Sequence, residues 1–213
     1  FGEEDRRHQA AGQSDSHNGD VDVGAARRAL IDVGAGDDGS QYIPAAGVGA
    51  GAARLISGTT QAHAVLEKKL AQIKGKESAL VFAAGFLANL SILTAFTGEQ
   101  DVVIMDKLCH ASLVDGARLS KAEFRIFPHK NYEKCEGLLR QYPGQRKILV
   151  TESVFSMDGD LADLKKLIRL KKKHRALLVV DDAHGTGVLG AHGHGATEEF
   201  SKEIDIITGT LSK

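Results

Sequence analysis

Two carboxylates and an imidazole follow the most apolar stretch of this sequence. Asp181, Asp182 and His184 come directly after residues 176–180, whose run Ala-Leu-Leu-Val-Val predicts a buried strand. Such a set at a strand end can orient a heteroaromatic cofactor or bind a metal ion. The alternative is an ordinary turn whose aspartates cap the next helix. This motif alone leaves both interpretations open.

The other metal-ligand residue types do not favour a metal centre. His192 and His194 lie in a glycine-rich stretch, for which a surface loop is the better interpretation than a tight ligand set. The cysteines, Cys109 and Cys135, lack the spacing of a zinc site and form no disulfide framework. We therefore expect no metal site and a reducing compartment.

A lysine follows the last apolar run of the chain. Residues 204–208 predict a buried strand, and Thr210 and Lys213 come directly after it. An amine at such a place can be desolvated and act as a nucleophile. A single lysine is otherwise a solvated surface residue, which is the alternative here.

Two predicted helix starts carry groups suited to a flat, anionic ligand. Gly85 and Phe86 open one helix, and the first backbone N–H groups of a helix form a ready site for a phosphate. His110 precedes another helix, where its imidazole can stack on a planar ligand. The alternatives are an ordinary strand-to-helix junction at Gly85 and a helix cap at His110.

The segment 151–160 supplies hydroxyls and carboxylates after a further strand, Ser156 among them. Alternatively, it is a polar loop that ends in a helix cap at Asp160. Five strand ends thus deliver polar groups of complementary kinds. Because the carboxyl ends of parallel strands meet at one edge of a sheet, we expect these groups to form one site.

Strands and helices alternate along the chain after residue 58. This order predicts parallel βαβ units and a three-layer α/β/α fold with a mostly parallel sheet. An amphipathic helix with possible caps at Thr59 and Thr60 runs up to Gly75, and further helices are predicted at 85–93, 112–119 and 161–174. The predicted strands lie at 78–82, 101–106, 122–127, 147–152, 176–181 and 204–208.

Composition and charge narrow the class of protein. The 213 residues are 42% apolar, and 27 Lys plus Arg against 28 Asp plus Glu exclude the basic footprint of a general nucleic-acid binder. No apolar run approaches the roughly 20 residues that cross a bilayer, and residues 1–20 do not resemble a signal peptide. We expect a cytoplasmic chain without a membrane partner, with residues 1–46 poorly ordered or atypical.

A glycine-rich run offers the main competing interpretation. Gly47–Ala52 is similar to the GxGxxG/A pattern of dinucleotide-binding proteins. No convincing strand precedes this run, and no acidic residue is placed to bind a ribose. The dinucleotide interpretation is therefore the weaker one.

Taken together, the motifs resemble those of the α-oxoamine synthases, which are pyridoxal-phosphate enzymes of fold type I. The resemblance implies that residues 47–213 form the large cofactor-binding domain and that pyridoxal 5'-phosphate is the cofactor. The motifs run from about Gly47 to Lys213 in the family's order: Gly47–Gly58 with Thr59–His63, Gly85–Asn89, His110–Ser112, Phe155–Asp160, Asp181–Gly187 and Gly209–Lys213.

The resemblance also assigns roles to the residues that could act in catalysis. It implies that Lys213 holds the cofactor covalently and carries a proton during the reaction. Asp181 would pair with the pyridine nitrogen, and His110 would stack on the ring. His184 and Ser156 would lie near the ring hydroxyl. Each role suits its residue, since a carboxylate keeps the ring nitrogen protonated and lets the ring accept charge.

A second set would hold the cofactor phosphate. The resemblance assigns this role to Thr210 and to the backbone of Gly85 and Phe86. A helix N-terminus suits a dianion because its first N–H groups have no partner within the helix.

The implied reaction joins an acyl-CoA to an amino acid with loss of carbon dioxide. Residues 181–190 are most similar to the family members that use L-alanine and a pimeloyl thioester in biotin biosynthesis. Glycine C-acetyltransferase and the other α-oxoamine synthases are alternatives with the same cofactor set. The family forms its active site at a homodimer interface, so we expect a homodimer.

Departures from the family pattern keep a different class open. Cys109 stands where Asn is common, His194 replaces a common Arg, and residues 34–46 read as an insertion. Because nothing follows Lys213, we expect the C-terminal domain to be absent. The alternative is therefore a non-catalytic fragment or subunit that pairs with another chain.

Overall fold

The computed structural model describes residues 52–211 and Lys213. The chain divides into two compact units, Phe1–Val65 and Leu66–Lys213. The expectations for residues 1–46 and for the glycine run that follows them lie outside the described residues. In chain order the described elements are α1 (Arg54–Ser57), α2 (Gln61–Ile73), α3 (Gly85–Phe96), β1 (Asp101–Asp106), α4 (Ala111–Leu119), β2 (Glu123–Phe127), α5 (Tyr132–Gln141), β3 (Arg146–Glu152), α6 (Leu164–His174), β4 (Leu177–Asp181), a 3-10 turn (Glu198–Phe200) and β5 (Ile206–Thr208).

In the first unit, a threonine marks the start of α2. The backbone N–H of His63 donates to Thr60 Oγ1 at 3.3 Å, which satisfies one of the helix's unpaired first N–H groups. This contact confirms Thr60 as the cap predicted from the sequence. Arg54, in the single turn of α1, donates to Thr59 Oγ1 at 2.9 Å.

A five-stranded parallel sheet forms the centre of the second unit. Its strand order is β2-β1-β3-β4-β5, and every neighbouring pair is parallel. Parallel neighbours need long crossovers, which α4, α5 and α6 provide between successive strands. The five strands confirm the predictions at 101–106, 122–127, 147–152, 176–181 and 204–208, with ends that shift by two residues at most.

Both faces of the sheet are covered, which explains why the strands are apolar without alternation. On β1, the side chains of Val102 and Ile104 join the core that includes residues of α5 and α6. Those of Val103 and Met105 join the core that includes residues of α3 and α4. All four are fully buried, and each contributes about 1.5–3 kcal/mol to stability. The predicted three-layer α/β/α arrangement is confirmed.

Reversal of the strand order places a crevice at one edge of the sheet. The chain runs from β1 outward to β2 and then returns to the other side of β1 to form β3. Right-handed crossovers in opposite directions put their helices on opposite faces. The connections that leave the carboxyl ends of β1 and β3 thus go to opposite faces, and ligands of such sheets bind between them. Among the described residues, no helix is both long and apolar enough to span a membrane.

The strand predicted at 78–82 is wrong. No described strand lies beside these residues, and they form no ladder. Leu80 is 71% exposed, and the N–H of Val81 donates to Glu67 Oε1 at 2.8 Å instead of to a neighbouring strand. An apolar run becomes a strand only where a partner takes up its backbone groups.

The sequence analysis did not predict α5. Asn131 caps this helix, with its side chain accepting from Lys134 N at 3.0 Å. Tyr132, Cys135 and Leu139 are buried at positions i, i+3 and i+7, which is the helical period. An asparagine before this spacing was the available signal, although the helix is polar elsewhere.

The start of α6 also differs from the prediction. Asp163 is the cap, and its Oδ1 accepts from Lys166 N at 2.9 Å. Asp160, the cap in the alternative interpretation of segment 151–160, instead contacts His129 Nε2 at 3.1 Å and Lys130 Nζ at 2.8 Å. Either aspartate suits a cap by type, and the tertiary contacts of Asp160 decide between them.

Candidate active site

Strand register brings three polar side chains into one row at the carboxyl edge of the sheet. Glu152 at the end of β3 is the register partner of Asp181 on β4, and Asp181 is the partner of Thr208 on β5. Register partners on neighbouring strands point to the same face of a sheet. All three are buried, with exposed fractions of 3%, 6% and 7%. This buried polar row is the floor of the site.

An open cleft of about 200 Å³ lies over this row. Seven of the eight site residues predicted from the sequence line it, namely Gly85, Phe86, His110, Asp181, His184, Thr210 and Lys213. The other lining residues are Asn89, Ser112, Glu152, Ala183, Thr208 and Gly209. The predicted groups therefore gather at one edge of the sheet, although Gly85 and Phe86 come from the start of α3 and not from the end of a strand.

Asp181 is fixed by two donors. Asn89 on α3 donates from Nδ2 to Asp181 Oδ2 at 2.7 Å, and the N–H of Ala183 donates to Oδ1 at 3.0 Å. The same Asn89 amide nitrogen also donates to Ser112 Oγ at 3.0 Å. Asp181 thus presents a carboxylate at the cleft in one orientation, as a partner for a protonated nitrogen needs.

Lys213 and His184 meet at the mouth of the cleft. Lys213 Nζ lies 2.9 Å from His184 Nε2, and both side chains line the cavity. His184 follows β4 and Lys213 follows β5, so adjacent strands of the sheet set their spacing. The contact places a primary amine beside an imidazole above the buried carboxylates.

The N-terminus of α3 faces the cleft. Gly85 is the first residue of the helix, and Ala84 before it provides no side-chain cap. A carbon atom added at Gly85 would lie 3.6 Å from Thr210 Cβ, so Thr210 sits against the first turn. A hydroxyl beside uncapped helix N–H groups is suited to bind a phosphate.

The structure confirms His110 as a helix cap, and its stacking on a planar ligand stays a prediction. As the cap of α4, its Nδ1 accepts from Ser112 N at 3.2 Å. The same nitrogen lies 2.7 Å from Ser112 Oγ. The imidazole also lines the cleft, and its ring meets that of Phe86 edge-on with centroids 6.5 Å apart. Capping therefore fixes the ring while leaving it at the ligand-accessible surface.

Ser156 is the predicted residue that does not line the cleft. Its side chain is exposed, and its backbone N–H donates to Glu152 Oε2 at 3.3 Å. Ser156 therefore lies next to a cleft residue, and its role at a ring hydroxyl stays a prediction.

Glu152 is a site residue that the sequence analysis did not single out. Burial raises the pKa of its carboxyl to about 7, and the charge of Asp181 acts in the same direction. The N–H groups of Ser156 and His110 and the charge of Lys213 oppose this shift. Glu152 is thus the group of the floor that exchanges a proton near neutral pH. Its position at the end of a strand was the available signal.

Three buried polar atoms of the cleft residues have no hydrogen-bond partner among the described residues. They are Asn89 Oδ1, Glu152 Oε1 and Thr208 Oγ1. Orphaned polar atoms cost free energy unless a ligand or water satisfies them, and in native proteins they are rare. Their gathering in one cleft indicates a binding site for a ligand with polar groups.

Asp182 points away from the cleft and holds the following loop. Its Oδ1 accepts from Ser153 Oγ at 2.5 Å and from Ala196 N at 3.2 Å. Its Oδ2 accepts from Lys74 Nζ and Thr197 Oγ1, both at 2.9 Å. Asp182 is fully buried. No regular helix begins after it in the described chain until the 3-10 turn, so the alternative in which both aspartates cap the next helix is wrong.

Comparison with known proteins agrees with this geometry. The sequence profile of the family described as aminotransferase class I and II matches residues 10–213. The 8-amino-7-oxononanoate synthase of Geobacter sulfurreducens is 52% identical over 170 residues, which are 78% of this chain and 44% of that protein. A putative enzyme of the same name from Aquifex aeolicus is 44% identical over 179 residues, which are 83% of this chain and 48% of that protein. The chain spans about half the length of the curated relatives it matches.

Solved structures give the same result. The serine palmitoyltransferase of Sphingomonas wittichii superposes with a TM-score of 0.75 and 35% identity, over 92% of this chain and 47% of that one. The 8-amino-7-oxononanoate synthase of Francisella tularensis superposes with a TM-score of 0.62 and 28% identity, over 88% of this chain and 48% of that one. A further serine palmitoyltransferase of the set, with a TM-score of 0.75, is described as holding pyridoxal phosphate.

Proposed function

Because the chain belongs to the aminotransferase class I and II family and, within it, to the α-oxoamine synthases, we propose that it carries the pyridoxal 5'-phosphate site of an acyltransferase. The proposed reaction condenses L-alanine with pimeloyl-CoA to give 8-amino-7-oxononanoate, a step of biotin biosynthesis. The names of the relatives at 52% and 44% identity support this choice of product.

One observation carries the proposal. A single cleft holds an amine at Lys213, a fixed carboxylate at Asp181 and an uncapped helix N-terminus at Gly85. Pyridoxal phosphate has three groups of matching chemistry, namely an aldehyde, a pyridine nitrogen and a phosphate. Each of these three groups of the cleft thus has a complementary group on the cofactor.

In the proposed reaction, Cα of L-alanine forms a bond to the acyl carbonyl carbon. Coenzyme A leaves as a thiolate that takes a proton from water to become the thiol, and the amino-acid carboxylate leaves as carbon dioxide. When bound, pyridoxal phosphate takes up the electron pair that Cα releases. Lys213 holds the proton removed from Cα and returns it after carbon dioxide has left, and its neighbour His184 orients the amine.

The remaining residues bind and orient. Asp181 keeps a proton on the ring nitrogen, since a buried carboxylate with fixed donors stabilises a cation beside it. When the cofactor binds, the N-terminus of α3 and the Thr210 hydroxyl would hold its phosphate. His110 would cover one face of the ring, and Ser156, which does not line the cleft, would have to approach the ring hydroxyl.

The first experiment tests cofactor attachment. The chain is incubated with pyridoxal phosphate, reduced with borohydride and digested, and the modified peptide is identified by mass spectrometry. We expect a visible absorbance band before reduction and a covalent adduct on Lys213. Lys213→Ala should lose both, whereas Lys202→Ala, which removes a lysine outside the cleft lining, should keep them. An adduct that forms equally in the Lys213→Ala chain contradicts the assignment, and the absence of any adduct supports a non-catalytic fragment.

The second experiment tests the substrates. The chain loaded with cofactor is supplied with L-alanine, glycine or L-serine, each with pimeloyl-CoA, acetyl-CoA or palmitoyl-CoA. We expect turnover with L-alanine and pimeloyl-CoA only. Turnover with glycine and acetyl-CoA instead selects glycine C-acetyltransferase, the alternative within the family.

Assembly and compartment complete the proposal. We assign a homodimer, supported by apolar side chains that remain exposed at the cleft, such as Phe86 at 45%. Sedimentation at several concentrations tests it. We assign the cytoplasm because both cysteines are free and buried, as in a reducing compartment.

A further inference from the structure

Three metal-ligand side chains, two on the loop that follows β4 and one at the start of the 3-10 turn, meet away from the cleft. One donor atom from each of His192, His194 and Glu198 lies within 4.8 Å of the other two. His192 Nδ1 contacts Glu198 Oε1, and His194 Nδ1 lies 4.0 Å from the same oxygen. The two imidazole rings are 5.5 Å apart. None of the three lines the cleft of the candidate active site.

The backbone holds this cluster together. Glu198 Oε2 accepts from the N–H of His192 at 3.1 Å and from that of His194 at 3.3 Å. The carbonyl of His194 accepts from Lys74 Nζ at 2.7 Å, which ties the loop to the buried Lys74–Asp182 pair. A set held by its own backbone loses little entropy when a ligand joins it.

A glycine lets the loop wrap around the carboxylate. Gly190 has a φ of +89°, and a carbon atom added there would lie 2.2 Å from Glu198 Oε2. Any other residue would push the loop away from Glu198. The close approach leaves Glu198 Oε1 within reach of both histidine rings.

We propose that His192, His194 and Glu198 form a binding site for a divalent transition-metal ion, with zinc as the best match. Two imidazoles and one carboxylate suit zinc, whereas magnesium and calcium favour oxygen ligands. Ligand atoms around one zinc ion lie about 3.3 Å apart. The three donor atoms lie within 4.8 Å of one another, and rotation of the exposed His192 ring and the half-buried His194 ring would shorten this spacing. Three protein ligands leave a fourth position for water or another molecule.

A second cluster in the described chain fits a metal less well. His129, Asp158 and Asp160 also place donor atoms within 4.8 Å of one another. Both nitrogens of His129 are already engaged, by Asp106 and by Asp160, and Lys130 Nζ lies 2.8 Å from Asp160. An ammonium group at the same carboxylate competes with a cation.

Calorimetric titration of the full chain with Zn²⁺, after dialysis against EDTA, tests the site. We expect saturable binding that weakens about tenfold or more in His192→Asn and in His194→Gln. The His194 imidazole contributes no hydrogen bond to the loop among the described contacts, so His194→Gln should fold normally. Circular dichroism and thermal melting of each variant verify folding.

His174→Gln is the matched control. His174 pairs with Glu136 at 3.2 Å, but no second imidazole lies in that cluster. The His174→Gln chain should bind Zn²⁺ as tightly as the unmodified chain does. The proposal is overturned if the His194→Gln chain binds Zn²⁺ as tightly as the unmodified chain. It is also overturned if binding is lost in Asp158→Asn, which alters the second cluster. Replacing Zn²⁺ by Co²⁺ adds a spectrum whose bands report tetrahedral nitrogen and oxygen ligands, and an unchanged spectrum in His194→Gln also overturns the site.

Discussion

Asp181 and Asp182 are neighbours at the end of β4, yet they serve two different regions. Successive side chains of a strand point to opposite faces, so Asp181 faces the cleft and Asp182 faces the loop that follows. The carboxylate of Asp182 accepts from four groups, which include Lys74 and Ser153. Asp181 accepts from Asn89 and one backbone N–H and borders atoms that have no partner.

The two aspartates thus have different roles: Asp182 stabilises the fold, and Asp181 faces the ligand site. The region around Asp182 has satisfied its polar groups internally, which fixes the loop that carries His184. The region around Asp181 keeps buried acceptors and donors without partners, which costs stability but leaves them for a ligand. Substitutions of the two aspartates should therefore affect different measurable properties.

The largest expected effect is the loss of stability in Asp182→Asn. Removing this charge leaves the Lys74 ammonium, whose side chain is 14% exposed, without its counter-ion. We expect the free energy of unfolding to fall by about 3–5 kcal/mol in urea titrations. Asp115→Asn is the control, because its exposed pair with Arg118 spans 3.9 Å and should contribute little. A loss below that of the control would mean that Asp182 does not anchor the loop.

Asp181→Asn should instead spare the fold and impair the chemistry. Asparagine keeps an acceptor for Asn89 Nδ2 but cannot hold a proton on a ring nitrogen. The exchange of the α-proton of L-alanine with solvent deuterium, followed by NMR, should slow by about 10²–10³-fold. Asp158→Asn, at an exposed carboxylate, should leave the exchange unchanged. Normal exchange in Asp181→Asn would contradict the division between the two aspartates.

Glu152 gives the cleft region its own pH dependence. Its pKa is raised in the folded chain to about 7, mainly by burial, from an ordinary value of 4.5. The folded state thus binds the extra proton, and stability falls as pH rises from 4.5 to about 7 and then levels. In urea titrations without cofactor, the free energy of unfolding should decrease by up to about 3 kcal/mol over this pH range.

Glu152→Gln is the comparison for that slope. The glutamine is neutral at every pH of the series and keeps an oxygen for Ser156 N. This part of the pH dependence should vanish in the variant. Equal slopes in both chains would show that Glu152 is not the titrating group.

The smallest expected effects are the losses of unfolding free energy in two serine variants, one from each region. Ser153→Ala removes a hydroxyl that donates to the Asp182 carboxylate at 2.5 Å, which should cost about 1.5–3 kcal/mol of unfolding free energy. Ser112→Ala removes a neutral acceptor of Asn89 at 3.0 Å, which should cost about 0.5–1.5 kcal/mol. The two variants are compared by thermal and urea unfolding. A reversed order would contradict the view that the Asp182 region supplies the stability.

Much of the fold was predictable because the strands are buried on both faces. Continuous apolar runs such as 101–106 and 147–152 then stand out, and Gly85 marks the start of α3. The amphipathic α5 escaped prediction because its buried positions are separated by charged residues. The wrong strand at 78–82 has the right composition, but pairing is a property of the neighbours.

Site residues were predictable from the sequence where they closely follow a predicted strand. Asp181, His184 and Lys213 each follow a strand closely, and the parallel sheet brings them together. Glu152 and Asn89 were not singled out. The strand end marked the position of Glu152, but local sequence does not show whether a carboxyl or an amide is buried. Their burial depends on residues far away in the chain.

The sequence by itself determined the alternation of strands and helices, the family motifs and the residue types at the strand ends. These features depend on the order of residues that are close together in the chain, so they can be read without knowing the fold. Only the tertiary structure decided that Asp181 faces the cleft while Asp182 faces the loop, because register and face are set by the pairing of β3, β4 and β5. It alone also decided that Glu152 loses water and that His192 meets His194 and Glu198, since burial and the folding of a glycine loop depend on distant contacts.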